Sequence, residues 1–85
     1  MSIAFADHIA VTETDYGVVL LDQRHGRYWK LNPTAGLVVN ILRAGGTEQD
    51  AVARVVGTFD VDRERASADV TALLSAMRAA GVLGR

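Results

Sequence analysis

The chain changes character within one heptapeptide, RYWKLNP at positions 27–33. Its first five residues include Tyr28 and Trp29, which favour strands, so we predict a short β-strand over 27–31. Asn32 is a preferred N-cap residue and Pro33 is preorganised for the first helical position, so the strand must end where a helix begins. We therefore expect a β-sheet before this stretch and helices after it.

Two further strands are predicted upstream of the heptapeptide. Residues 8–13 alternate so that Ile9 and Val11 share one face, which is typical of a half-buried strand. Residues 18–21 are an unbroken apolar run, which predicts a central strand covered on both faces. Turns rich in Gly and Asp separate these segments.

The third predicted strand, 27–31, lies at the edge of a three-strand meander. Alternation along the strand places Trp29 and Leu31 on one face. Tyr28 and Lys30 then point to the other face. From the residues alone, Trp29 and Leu31 are as consistent with core packing as with a binding surface.

Three helices are predicted after the heptapeptide. The first ends near Gly45, and the second opens with Thr47 and Asp50 in the positions of a capping box. The third and longest begins at the cap residue Asp62 and ends near Gly81. Its apolar stripe at helical spacing contains Ala66, Val70, Leu73, Leu74 and Met77. The predicted fold class is α+β, a three-stranded antiparallel sheet followed by three helices in the order βββααα, which is winged-helix-like.

Composition predicts one small globular domain. The 85 residues are 49% apolar and 22% charged with a mean hydropathy of +0.15, and no apolar run approaches the ~18 residues that span a membrane. No basic residue precedes Arg24, so we expect no secretory signal and a cytoplasmic location. The absence of cysteine excludes disulfides and thiolate metal sites. We expect an N-terminal segment at 1–7 that is free to be flexible, followed by a single domain at 8–85.

No catalytic constellation is recognisable in the sequence. Ser2, Ser67 and Ser75 have no Gly-x-Ser-x-Gly elbow around them, so we expect no enzyme and no cofactor. His8 and His25 lie in different segments without the HExxH spacing of a zinc site. We therefore expect surface histidines and no metal site.

A winged-helix nucleic-acid-binding domain is the alternative function. The net charge is −1, and the first turns of the third helix mix Arg63 and Arg65 with Glu64 and Asp69. A specific DNA-binding protein makes roughly 6–10 phosphate contacts, and this supply of cations is small by comparison. We therefore expect no nucleic acid and no membrane among the partners.

A set of short motifs follows in a specific order along residues 9–83. The motifs are Leu21-Asp22, GRYWKLNPTA at 26–35, Ile41-Leu42, Gly45, Thr47, Ala66-x-x-Asp69-Val70-x-x-Leu73-Leu74 and Gly81-Val82-Leu83. Their order and spacing resemble the PqqD family, and the string YWxLNPT is similar to the stand-alone members from bacterial lasso-peptide biosynthesis. Two positions differ, since many relatives have an aromatic residue at 38–39 and Asp-Gly at 44–45.

This resemblance implies a recognition element for ribosomally made peptides. Such a protein binds the leader segment of a precursor peptide and presents the precursor to modifying enzymes. In lasso systems these enzymes are a separate cysteine leader peptidase and an ATP-dependent cyclase similar to asparagine synthetase. The leader commonly carries a Tyr-x-x-Pro motif and lies as an added strand on the third strand, against the third helix.

On this basis we hypothesise a groove between the third strand and the third helix that receives apolar and aromatic side chains of the leader. The predicted lining residues are Tyr28, Trp29, Leu31, Val70, Leu73, Leu74 and Met77. The predicted polar rim contains Arg27, Lys30 and Asp69. A helical stripe of this kind is more often core than ligand site, so we expect at least half of it to face the sheet and the first helix.

Overall fold

The computed structural model describes residues 3–84, and it has three strands followed by three helices. The elements are β1 (Ile9–Thr14), β2 (Gly17–Asp22), β3 (Arg27–Lys30), α1 (Pro33–Arg43), α2 (Glu48–Thr58) and α3 (Arg63–Ala79). The strands form one antiparallel sheet in the order β1-β2-β3, so β3 lies at an edge. The predicted α+β architecture is confirmed. Within residues 3–84, no helix is long and apolar enough to cross a membrane.

Each helix begins at the predicted cap residue. The side chains of Asn32 and Asp62 each accept a hydrogen bond from the backbone N–H three residues on, at 2.8 and 2.7 Å. Thr47 and Asp50 form a reciprocal capping box before α2. Gly81, with a φ of 77°, follows the end of α3 in a conformation that favours glycine. These local signals fix where the helices start and stop.

The central strand β2 is covered on one face only. Val18, Leu20 and Asp22 are buried, whereas Leu21 on the opposite face is 40% exposed. The prediction that this strand is covered on both faces is therefore wrong, because the strand alternates between a face that meets the helices and a face that meets solvent. Gly36 brings α1 close to the covered face, since a Cβ atom there would lie 3.1 Å from a methyl of Val18.

The apolar core has two parts that meet at α1. The cluster among the three helices contains Val38, Leu42, Ala51, Val52, Val55, Ala66, Val70 and Leu74. The cluster between sheet and helices contains Val18, Leu20, Val39, Met77 and Val82. The neighbouring residues Val38 and Val39 each serve a different cluster, so α1 holds the helical layer onto the sheet.

The segment before β1 pairs with the segment after α3. Phe5 forms an isolated antiparallel bridge with Leu83, and the N–H of Ala6 donates to the carbonyl of Val82 at 2.9 Å. Residues 1 and 2 of the predicted segment 1–7 lie outside the described range.

Candidate functional site

The outer edge of β3 carries backbone groups that the sheet does not use. The N–H of Leu31 donates to the carbonyl of Val18 at 2.9 Å, and Trp29 and Arg27 continue this series towards β2. Alternate residues of an antiparallel strand direct their backbone groups to opposite sides. Tyr28 and Lys30 therefore direct two N–H and two C=O groups away from the sheet, where a partner strand can pair with them.

A gap separates the backbone of β3 from that of α3. Among the described residues, no Cα atom of β3 lies within 8 Å of a Cα atom of α3. Side chains from both elements fill the inner part of this gap. One apolar cluster contains Trp29 and Leu31 from the strand side and Leu73 and Met77 from α3. Trp29, Leu31 and Leu73 are half-buried, so part of each side chain is accessible along this gap, which is the candidate groove.

The other predicted lining residues lie below the groove or outside it. Val70 and Leu74 are each 1% exposed and Met77 is 5% exposed, which places these three in the core. Their burial confirms the expectation that at least half of the stripe faces inwards. Tyr28 is 65% exposed and, with Lys30, lies on the sheet face opposite Trp29 because side chains alternate along the strand.

A pocket of about 320 Å³ lies past the end of β3. The start of α1 and one side of α3 line it, through Asn32, Thr34, Ala35, Val38, Asp69, Val70 and Leu73. Asp69 is exposed and forms an ion pair with Arg65 at 3.5 Å, so it supplies a polar rim. The α1 side of this pocket was not predicted as part of the site, although its residues Thr34 and Ala35 belong to the motif at 26–35.

Asp22 is a buried carboxylate at the start of the β2–β3 turn. It accepts hydrogen bonds from the backbone N–H groups of Arg24 and His25, both at 3.0 Å, and from Nη2 of Arg27 at 2.7 Å. Burial alone would raise the pKa of Asp22, but the hydrogen bonds from Arg27, His25 and Arg24 outweigh it and hold this pKa well below its ordinary value. The side chain is therefore a carboxylate at neutral pH.

Arg27 connects the first residue of β3 to the end of α3. Besides pairing with Asp22, its Nη2 donates to the carbonyl of Ala80 at 3.2 Å. Its guanidinium carbon lies 5.2 Å from the centre of the Trp29 ring, which is within the range of a cation–π interaction. Arg27, predicted as a rim residue, is thus held at one end of the groove by three contacts.

Two solved structures have this fold over nearly the whole chain. One is described as "Lasso peptide synthetase B1 complexed with the leader peptide"; it is 35% identical, superposes with a TM-score of 0.92, and all of both chains is covered. The other is described as "TbiB1 in Complex with the TbiA(beta) Leader Peptide"; it is 25% identical with a TM-score of 0.86, covering 98% of this chain and 94% of that chain. Among curated proteins, no match is found.

The match to a family model covers most of the chain. The model described as "Coenzyme PQQ synthesis protein D (PqqD)" matches residues 17–83. This span contains β2, β3 and all three helices, so it includes both walls of the groove and the buried Asp22. The resemblance drawn from the sequence motifs is confirmed, and the chain belongs to the PqqD family.

Proposed function

We propose that this protein is a non-catalytic recognition element that binds the leader segment of a lasso-type precursor peptide. In this proposal the leader adds to β3 as a fourth strand and places side chains in the groove against α3. The observation that carries the proposal is the free β3 edge beside an apolar groove, on a fold that superposes at a TM-score of 0.92 on a lasso peptide synthetase B1 with a leader peptide.

Backbone pairing alone is too weak to hold the leader. The free edge offers the four backbone groups of Tyr28 and Lys30, and each hydrogen bond contributes about 1 kcal/mol net, which makes about 4 kcal/mol in all. Association costs an estimated 4–15 kcal/mol in lost motional freedom. Side-chain contacts must therefore supply the affinity and fix the register.

The two faces of the added strand would meet different surfaces. Every second leader side chain would point towards α3 and contact Trp29, Leu31 and Leu73. Beyond Leu31, the pocket between α1 and α3 has room for a larger apolar or aromatic side chain, with Asp69 at its rim. The remaining leader side chains would lie on the outer face of the sheet beside Tyr28, as cross-strand neighbours.

The three buried residues of the predicted site have a supporting role in this arrangement. Val70 forms part of the pocket base. Leu74 and Met77 pack beneath Leu73 in the core and hold it in position. Lys30 contributes its backbone groups to the edge, but its side chain lies on the outer face of the sheet and not at the predicted polar rim.

The strand-addition proposal is tested by NMR titration of the ¹⁵N-labelled chain with its cognate leader peptide. We expect the amides of Tyr28 and Lys30 to shift and to exchange more slowly with solvent, because they gain partners. The matched control is the opposite sheet edge, where the amides of Val11 and Glu13 also point away from β2 and should not change. Shifts confined to β1, or to the exposed face of α2, would show that the leader binds elsewhere.

We further propose that the bound precursor is delivered to a separate cysteine leader peptidase and to an ATP-dependent cyclase similar to asparagine synthetase. Strand addition at β3 leaves the exposed faces of β1 and α2 available for these enzymes. Immobilised chain should capture both enzymes, and the L73D variant should still capture them while losing the leader. Capture of the enzymes by a wild-type chain that does not bind isolated leader would instead indicate a scaffold.

A further inference from the structure

Two histidines and one buried carboxylate meet at the β2–β3 turn. His25 Nδ1 lies 2.9 Å from Asp22 Oδ2, and His8 Nε2 lies 3.9 Å from Asp22 Oδ1. One nitrogen or oxygen atom of each of the three side chains lies within 4.8 Å of the others. His25 is exposed, as predicted for a surface histidine, whereas His8 is only partly exposed and contacts the same buried carboxylate.

Main-chain hydrogen bonds hold the cluster together. The N–H of Gln23 donates to the carbonyl of His8 at 2.8 Å, which extends the β1–β2 ladder and places His8 beside Asp22. The N–H of Gly26 donates to the carbonyl of Asp22 at 2.8 Å and closes the turn, which folds His25 back over the carboxylate. The two imidazole centres are 6.1 Å apart. These main-chain hydrogen bonds therefore fix the backbone positions of all three residues relative to one another.

The donor atoms suit a borderline transition metal. Zn²⁺ binds imidazole nitrogen and carboxylate oxygen, and sites with three protein ligands leave a fourth position for water. With metal–ligand bonds of about 2.0–2.1 Å, neighbouring ligands of a tetrahedral site lie roughly 3.3 Å apart. The 2.9 Å contact of His25 Nδ1 is with Oδ2 and is near this value, whereas the 3.9 Å contact of His8 Nε2 is with Oδ1. An ion bound to Oδ2 therefore requires the His8 ring to move towards that oxygen. Ca²⁺ and Mg²⁺ prefer oxygen ligands and fit this donor set poorly.

We infer that His8, Asp22 and His25 form a binding site for a zinc-class divalent cation, and that this cation competes with Arg27 for Asp22. Oδ1 of Asp22 already accepts two backbone N–H groups, which orient the carboxylate as an outer shell does in metal sites. Oδ2 faces both His25 and Arg27. A cation there would take the place of the proton between His25 and Oδ2, and its charge would repel the guanidinium.

Ions can enter from the turn side, because the His25 side chain is 56% exposed, whereas that of His8 is 18% exposed. Occupation would release Arg27 from Asp22 and so loosen its bond to the Ala80 carbonyl at the end of α3. Because such coupling is reciprocal, any change that weakens the Arg27–Asp22 pair should tighten metal binding. This inference goes beyond leader binding, and its test uses no peptide.

The site is tested by titrating the full chain with Co²⁺, followed by visible d–d absorption, and with Zn²⁺, followed by calorimetry. We expect one equivalent of either metal to bind, with a Co²⁺ spectrum typical of mixed nitrogen and oxygen ligands. The variants H8Q and H25Q should each lose at least about tenfold in affinity. Circular dichroism of both variants controls for folding, which H25Q needs because it also alters a hydrogen bond to the buried Asp22 carboxylate.

Two arginine variants test the competition. R27Q removes the cation that contacts Oδ2 and should raise the Zn²⁺ affinity about tenfold. R24Q is the matched control, because it removes the same charge from the same turn while the backbone N–H of Arg24 still holds Oδ1. R24Q should leave the affinity within about twofold of wild type.

Three results would overturn the inference. The first is the absence of a saturable Co²⁺ spectrum in the wild-type chain. The second is equal Zn²⁺ affinity in wild type and in the H8Q/H25Q double variant, which would place the metal elsewhere. An equal gain of affinity in R27Q and R24Q would show a general charge effect and would refute competition at Asp22.

Discussion

Replacement of Leu73 by Asp should lower the affinity for the cognate leader peptide at least about 100-fold. Leu73 is the half-buried residue of α3 that faces β3 across the groove. Loss of its apolar contact removes roughly 1.5–3 kcal/mol, and covering a carboxylate with the leader adds a desolvation cost. Since about 1.4 kcal/mol corresponds to tenfold in affinity, the two effects together exceed a 100-fold loss. Titration of a fluorescent leader peptide against both proteins measures this loss of affinity.

The matched control for this change is A68D. Ala68 is exposed on the same helix, and five residues at 3.6 per turn place it about 140° around the helix from Leu73. A68D adds the same charge to α3 and should bind the leader within about threefold of wild type. Circular dichroism and urea unfolding must show that both variants fold. Wild-type affinity in folded L73D would remove Leu73 from the binding surface and with it the proposed groove.

Replacement of the next residue, Leu74, by Ala should instead lower stability. Leu74 is 1% exposed in the cluster among the three helices, so truncation leaves a cavity and is expected to reduce the free energy of unfolding by about 2–5 kcal/mol. Small domains unfold with about 5–15 kcal/mol, so this is a large share of the total. Urea unfolding followed by far-ultraviolet circular dichroism gives the value.

A control leucine lies on the outer face of the sheet. Leu21 is 40% exposed, and L21A should reduce the free energy of unfolding by less than about 1 kcal/mol. Equal losses in L74A and L21A would contradict the core position of Leu74. The affinity of folded L74A for the leader should fall much less than that of L73D, because Leu74 supports Leu73 from below without touching the peptide.

The boundaries of the fold could be predicted because they depend on local chemistry. Asn32, Thr47 and Asp62 satisfy backbone donors within three residues of themselves, so the helix starts follow from residue type and spacing. The edge position of β3 followed from the meander order, since short turns join neighbouring antiparallel strands.

The arrangement around β2 could not be predicted, because it depends on packing between distant segments. The apolar run 18–21 does not reveal that Leu21 faces solvent while Leu20 is buried. The sequence also does not reveal that Asp22, in an ordinary turn position, is buried as the common partner of Arg27 and His25. Charged residues in turns are usually solvated, so residue type alone predicts the opposite.

The sequence indicated which elements border the candidate site, but it did not indicate which of their side chains are accessible there. Leu73 and Leu74 belong to the same stripe, yet 100° of rotation per residue separates the groove wall from the core. Strand alternation correctly placed Trp29 and Tyr28 on opposite faces of the sheet. The predicted groove nevertheless included both, and Tyr28 lies outside it. The pocket beside Thr34 forms only where α1 lies next to α3. Local sequence patterns do not reveal that contact, so the pocket could not be predicted.

The shortness of the β3 edge has a kinetic consequence. Only two residues, Tyr28 and Lys30, present outward backbone groups before Asn32 and Pro33 turn the chain into α1. A bound leader strand therefore has few hydrogen bonds to break before it leaves, and its residence time depends mainly on the side chains seated beside Leu73. If the leader binds as proposed, a longer edge would lengthen its residence time, so we expect the short edge to favour exchange of precursor molecules.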